Sequence, residues 1–299
     1  MKMDKKKFTI YMIFAFGLAW VIQIIASIFS RNGNVAVFQL LLAVCMFMPF
    51  FATLIARIPL KGMGWIPKLK GNIGWILLAW FGPMVLTILG AVIFYIIFPN
   101  RLDWSGSYMA IQMGEEAMAE LQAAGITIPL LTIITIVQAC SYAPIINGLA
   151  GLGEEVGWRG VMYPMLKDKL GWVKGMILGG IIWGAWHWPI MVLAGYEYGL
   201  EYWGAPFLGM AMFCLYATVA GIILDVLYEK TKCIWVPSVG HGAINATVGV
   251  PVLMLNAEFA DQLTIGPLPI GIIAMIPYII VAILLLILTG KKKEDYNVL

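Results

Sequence analysis

Two adjacent glutamates and an arginine stand at the end of a long apolar run. Glu154, Glu155 and Arg159 lie in the stretch GLGEEVGWRG. The chain has only two histidines, His187 and His241, and both also lie inside apolar runs. A carboxylate at membrane depth costs a few kcal/mol unless it is paired or protonated, so these residues are the first candidates for a functional site.

Spacing assigns different tasks to these side chains. Glu155 and Arg159 are four residues apart and can pair on one helix face, which leaves Glu154 facing another direction. His241 and Asn245 are also four apart, so both can point into one cavity. A free carboxylate, two imidazoles and a carboxamide can deprotonate a water and donate hydrogen bonds to an oxyanion. This equipment suits hydrolysis of an amide bond.

Composition defines the class of protein that must position these groups. Of 299 residues, 62% are hydrophobic and 12% charged, with a mean hydropathy of +0.90. Soluble domains average about 25% charged residues. The sequence therefore predicts an all-α, polytopic integral membrane helix bundle. The four cysteines show no CxxC spacing, so neither a disulfide framework nor a thiolate metal site is indicated.

Eight apolar segments are long enough to span a bilayer, which needs about 20 residues each. We predict one membrane domain over residues 1–299. The predicted spans are Phe8–Phe29, Val35–Ala56, Ile73–Phe98, Pro129–Gly151, Met176–Gly195, Phe207–Tyr228, Cys233–Leu255 and Pro267–Thr289.

Basic residues indicate the orientation of these spans. With the N-terminus in the cytoplasm, all but Arg31 and Arg101 of the 19 lysines and arginines fall on the cytoplasmic side. Cytoplasmic loops carry such an excess, so we expect both termini in the cytoplasm. Tryptophans near the span ends, Trp158 among them, are typical of the aromatic belt at membrane interfaces. Asp225 lies near the inner boundary and is expected to reach water.

The predicted spans place the candidate residues at similar depth. At about 1.5 Å per residue, Glu154 lies very roughly 7 Å above the inner boundary. His241 then lies roughly 12 Å and His187 roughly 16 Å above it. This agreement predicts one shared site in the inner half of the membrane, near the cytoplasmic face. Trp183, one turn before His187, can form a wall of its cavity.

Three motifs carry a family resemblance. The patterns are Glu154-Glu155-x-x-x-Arg159, Trp183-x-x-x-His187 and His241-x-x-x-Asn245. In order and in placement on three helices they resemble the CAAX-protease and bacteriocin-processing (CPBP) family of intramembrane proteases. That family includes the type II CAAX prenyl endopeptidases. Trp183 is a departure, since the family usually has phenylalanine there. The resemblance implies a catalytic core at about residues 129–255.

The resemblance also implies roles for individual residues. Glu154 would activate a water with help from His187. His241 and Asn245 would stabilise the tetrahedral oxyanion.

Glu155 and Arg159 would form a supporting ion pair. A second interpretation stays open, in which Glu154, His187 and His241 hold Zn²⁺ with water in the open position. We favour water activation without a required metal. The sequence has no H-E-x-x-H motif, so it gives no support to a zincin.

The sequence therefore predicts an intramembrane endopeptidase that cuts a peptide bond near the cytoplasmic face. The expected location is a prokaryotic plasma membrane, and the expected substrate is a CAAX-like, lipidated or leader peptide. No nucleic-acid partner is expected, because the terminal lysine runs are typical of anchors to the lipid surface. The alternative is a non-proteolytic immunity factor, scaffold or transporter that uses the same fold.

Overall fold

Helices make up most of the described part of the chain, and turns and loops connect them. The computed structural model describes residues 4–294, with side chains up to Thr289, so Lys2 and the side chains of Lys291, Lys292 and Lys293 lie outside it. These residues form no strand, and a single bridge joins Leu102 to Leu255. The helices are α1 (Lys5–Arg31), α2 (Val35–Cys45), α3 (Met48–Ile55), α4 (Ile73–Ile97), α5 (Ser107–Met113), α6 (Glu115–Ala123), α7 (Ile128–Cys140), α8 (Ala143–Gly157), α9 (Tyr163–Leu170), α10 (Trp172–Trp186), α11 (Trp188–Ala194), α12 (Phe207–Thr231), α13 (Trp235–Thr247) and α14 (Ile276–Glu294).

The prediction of a polytopic helix bundle is confirmed. Five helices of the described residues are long and apolar enough to cross a membrane, or up to six if α6 and α7, bent by 89°, count as one span. Three of them are single helices, Lys5–Arg31 (α1), Ile73–Ile97 (α4) and Phe207–Thr231 (α12). The other two each join two consecutive helices, Val35–Ile55 (α2 and α3) and Trp172–Ala194 (α10 and α11). The count of eight spans and the cytoplasmic termini stay predictions.

The helix that carries the two glutamates differs from the predicted fourth span. α7 ends at Cys140, and α8 continues through a π-helical turn, Trp158–Met162, directly into α9. Glu154 therefore lies sixteen residues before the helix end at Leu170, which is about 24 Å along the axis. The depth of Glu154 stays a prediction, but Arg159 marks no membrane boundary. Its charge is buried and paired with Glu155 inside the bundle.

Glycines let the site helices approach closely. A Cβ atom on Gly242 of α13 would lie 2.2 Å from the carbonyl oxygen of Pro144 in α8. A Cβ atom on Gly184 of α10 would lie 2.5 Å from the Cα atom of Cys214 in α12. Membrane helices pack through such small residues, because lipid supplies no hydrophobic force to drive the helices together.

Two further expectations from the sequence are corrected in the core. Trp158 is fully buried and belongs to no aromatic belt. Asp225 is also fully buried and does not reach water. Lys167 Nζ of α9 lies 2.6 Å from Asp225 Oδ2 and 2.7 Å from Glu229 Oε1, because α9 and α12 both pack on α10. The ion pair compensates the carboxylates for lost hydration.

Candidate active site

Two indole groups hold the carboxylate of Glu154. Trp158 Nε1 donates to Glu154 Oε2 at 2.9 Å, and Trp183 Nε1 donates to the same oxygen at 2.7 Å. No described protein group donates to Oε1, and the residue lines a cavity. Both donors are uncharged, so Glu154 is oriented without being neutralised by a cation. A carboxylate in this state can accept a proton from a water in the cavity.

The cationic side chain of Arg159 pairs with Glu155 and not with Glu154. Glu155 Oε1 accepts from Arg159 Nη1 at 2.9 Å and from His241 Nδ1 at 2.8 Å. Arg159 Nη2 donates to the carbonyl of Gly221 at 3.2 Å, and its guanidinium stacks on the rings of Tyr163 and Trp183. The predicted ion pair thus forms in the core and also fixes the imidazole of His241.

A π-helical turn directly follows the helix that carries the two glutamates. It begins at Trp158, directly after α8, and contains Arg159. Such single turns insert a residue into an α-helix and are frequent at functional sites. Trp158 and Arg159 lie at the start of this turn, and they bond to Glu154 and Glu155 respectively at the ordinary helical spacing of four residues.

His187 occupies the junction between α10 and α11. Its Nδ1 lies 3.0 Å from the carbonyl oxygen of Trp183, so the proton sits on Nδ1 and Nε2 is left as an acceptor. Tyr196 stacks on the imidazole at 6.2 Å with an interplanar angle of 7°, and Phe213 meets it edge-on at 4.8 Å. The ring is thereby held from both sides.

One cavity of about 340 Å³ joins the predicted catalytic groups. Glu154, His187, His241 and Asn245 line it together with Trp183. Asn245 is exposed in the cavity wall, whereas Glu155 and Arg159 lie behind the wall and are fully buried. Four of the six residues predicted from the sequence therefore face a common space, and the other two support them.

Several residues of the site were not predicted from the sequence. Trp158 was interpreted as an interfacial tryptophan, although its spacing of four from Glu154 was a usable signal. Tyr196 and Glu197 follow α11 and line the same cavity. Burial raises the pKa of Glu197 to about 7, although a hydrogen bond from Tyr196 opposes the shift. No sequence spacing connects this loop to Glu154.

The two serines near the site offer no nucleophile. Ser141 Oγ donates to the carbonyl oxygen of Val137 at 2.6 Å, and Ser238 Oγ donates to that of Ile234 at 2.7 Å. Neither residue lines the cavity. A hydroxyl engaged with the backbone and lacking an adjacent base is not activated for attack.

Zinc binding makes a specific geometric demand on the same residues. A catalytic zinc site needs three protein ligands and an open position. Within residues 4–294, no three side chains of histidine, cysteine, aspartate or glutamate are arranged so that they could share a metal ion. Glu154 Oε1 and the Nε2 atoms of His187 and His241 accept or donate no hydrogen bond among the described residues, so it is the spacing of the three side chains, and not occupied ligand atoms, that does not fit a Glu–His–His zinc site.

Comparison with known proteins is consistent with this geometry. Residues 136–247 match the family described as type II CAAX prenyl endopeptidase Rce1-like. The chain is 32% identical over 98 residues to CAAX prenyl protease 2 of Methanococcus maripaludis. That alignment covers 32% of this chain and 36% of the relative, so it spans about a third of the relative's length. All six residues predicted from the sequence lie within the segment matched by the family.

Proposed function

We propose that the protein is an intramembrane peptidase, because its residues 136–247 match the family of Rce1-like CAAX endopeptidases. It hydrolyses a peptide bond with a water activated by Glu154. The observation that carries the proposal is the state of this carboxylate: it lines a cavity, it has no cationic partner, and one oxygen is held by two indole N–H groups.

His187 assists the activation of water. Its Nδ1–H is engaged by a backbone carbonyl, so Nε2 can accept a proton during attack and return it to the leaving amine. Glu154 and His187 line the same cavity from α8 and from the α10–α11 junction. A base shared between a carboxylate and an imidazole suits an amide, whose nitrogen must be protonated before it leaves.

His241 and Asn245 stabilise the oxyanion. The hydrogen bond from His241 Nδ1 to Glu155 fixes the ring and lets the imidazole carry a second proton on Nε2. Asn245 adds an amide N–H₂ group one helical turn away on α13. Preorganised donors of this kind typically contribute a factor of about 10²–10³ to the rate.

The substrate is a peptide reached within the membrane, with or without a lipid attached to it. The Methanococcus relative is named for prenylated CAAX proteins, and a prenylated peptide is therefore one class to test. The location is a plasma membrane. Zinc is not required, because the cavity supplies a carboxylate base and neutral donors.

The test uses purified protein in detergent and a quenched peptide library in which some members carry a farnesylated cysteine. Glu154→Gln and His187→Ala are compared with wild type and with Glu201→Gln, a matched change at an exposed glutamate. Cleavage by wild type and Glu201→Gln, lost in the two site variants and retained with a zinc chelator, is the expected result.

Two other outcomes contradict parts of the proposal. Cleavage that a chelator abolishes and zinc restores would replace water activation by a metal mechanism. If Glu154→Gln still complements a deletion strain, the protein acts without proteolysis, as an immunity factor, scaffold or transporter.

A further inference from the structure

The cavity around Glu154 is closed on one side and open on the other. Along the helix that carries Glu154, Trp158 and Arg159 follow it and are fully buried. Ala150 and Asn147 precede it, line the cavity and are partly exposed. Water or peptide therefore approaches Glu154 from the N-terminal side of α8.

Two other walls of the cavity are also open toward the same face of the bundle. In α13, Ser238 precedes His241 and is fully buried, whereas Asn245 follows it and is exposed. In the α2–α3 pair, Gln39 of α2 is exposed in the cavity wall and Thr53 of α3 is fully buried. The opening of the cavity, which we call the mouth, therefore lies at the face of the bundle where α2 and α8 begin and α13 ends.

The mouth also has a lateral side. α2 packs along α1. The next helix, α3, packs against α8. Gln39 and Ala43 of α2 and Asn245 of α13 are exposed cavity residues on opposing walls. A membrane-tethered chain can reach the cavity between α2 and α13 without crossing the bundle.

Charge distribution identifies the face on which the mouth lies. Among the described lysines and arginines, only Arg31 and Arg101 lie at the mouth face, at the ends of α1 and α4. The basic residues of the connection between α3 and α4, of α9 and of the end of α12 belong to the opposite, closed face. Because loops rich in lysine and arginine stay in the cytoplasm, the closed face is the cytoplasmic one.

We infer that the peptidase takes its substrate from the non-cytoplasmic side of the membrane. The substrate class is a membrane-tethered peptide that has already been translocated and enters the outer leaflet between α2 and α13. This differs from the cytoplasmic cleavage that the sequence predicts. The inference rests on the proposed peptidase activity, whereas the direction of the cavity is independent of it.

The first experiment labels single cysteines from outside the cell. The chain is first freed of its native thiols by replacing its four free cysteines, Cys45, Cys140, Cys214 and Cys233. One new cysteine is then introduced, either Gln39→Cys or Lys61→Cys. Gln39 is exposed at the mouth and Lys61 is exposed at the closed face. Where the cysteine-free chain does not accumulate, only the partly exposed Cys140 and Cys214 are replaced.

A membrane-impermeant maleimide is added to intact cells and to permeabilised cells. Gln39→Cys is expected to react in intact cells at least about tenfold more than Lys61→Cys, which reacts only after permeabilisation. The reverse pattern places the mouth in the cytoplasm and overturns the inference.

The second experiment separates access from catalysis. A quenched peptide is added outside right-side-out vesicles and outside inverted vesicles. Cleavage by the right-side-out vesicles alone supports the inference, and cleavage by the inverted vesicles alone overturns it. No cleavage by either, together with labelling of Gln39→Cys in intact cells, contradicts the proposed peptidase activity and supports the direction of the cavity.

Discussion

Trp183 and Glu154 are joined by a 2.7 Å hydrogen bond from the indole Nε1 to the carboxylate Oε2. The sequence motif shows Trp183 only as an aromatic residue one turn before His187. In the structure it orients Glu154, stacks on Arg159 and meets the ring of His241 edge-on. Its ring also lies 6.5 Å from that of His187, so one side chain contacts four of the six predicted site residues, which makes it a positioning residue with measurable consequences.

Trp183→Phe keeps an aromatic wall and removes the donor. Hydrogen bonds to charged groups contribute about 1.5–3 kcal/mol, so we expect kcat to fall by about tenfold or more with a small change in KM. Trp188→Phe, on the partly exposed start of α11, is the matched control and should leave both constants unchanged. Equal kinetics for the two variants would show that the bond to Glu154 does not matter for turnover.

The buried pair of Glu155 and Arg159 should show strong coupling. Removal of one partner leaves an uncompensated buried charge, so Arg159→Met is expected to destabilise the protein by about 3–5 kcal/mol. The double variant Glu155→Gln/Arg159→Met should lose less than Arg159→Met alone. Thermal unfolding in detergent measures both.

The control for that series is the ion pair between Lys232 and Glu229 at the protein surface. Lys232 is largely exposed, and exposed pairs contribute about 0–1 kcal/mol. Lys232→Met should therefore leave the unfolding temperature almost unchanged. Additive losses at Glu155 and Arg159 would contradict the buried pair.

Helix packing at α8 and α13 provides a third prediction. In Gly242→Ala the new methyl group would meet the carbonyl oxygen of Pro144 at 2.2 Å and the backbone of Gly148. Overpacking of this kind costs about 1–3 kcal/mol, so we expect a lower unfolding temperature. Gly249→Ala, with no atom within 4 Å of its Cβ position, is the control. If both variants unfold alike, α8 and α13 are not in close contact.

Glu197 predicts a pH dependence of stability. Burial raises its pKa to about 7 from an ordinary value of 4.5. The folded state therefore binds more protons than the unfolded state between these values, and stability falls as the pH rises from about 4.5 through 7. Partial exposure screens the effect, which we expect to be of the order of 1 kcal/mol.

Glu197→Gln keeps a neutral polar side chain and removes this titration. The variant should match wild type in unfolding temperature near pH 5 and exceed it near pH 8. Curves for the two proteins that stay parallel over this range would contradict the raised pKa.

The sequence predicted the helical class and the six polar site residues because charge is rare in an apolar chain. Glu154, Glu155 and Arg159 stood out for that reason, and helical spacing of four was enough to pair Glu155 with Arg159. The gathering of His187 and His241 around one cavity also followed from placing each on a neighbouring helix.

What the sequence could not supply was the length of the helix around Arg159. A lone arginine in an apolar run looks like a membrane boundary until its partner is known to lie in the core. Trp158 was misinterpreted for the same reason, since interfacial and buried tryptophans have the same local sequence. Glu197 depends on a loop that folds back onto His187, and no periodic pattern records such a contact.

The most direct measurement compares proteolysis by wild type and by Glu154→Gln in the same detergent preparation. Glutamine keeps the size of the side chain and cannot accept a proton from water. We predict that cleavage of the peptide that wild type cuts best falls by at least about 10²-fold in Glu154→Gln, with the unfolding temperature preserved. Cleavage by Glu154→Gln at the wild-type rate would contradict the central claim.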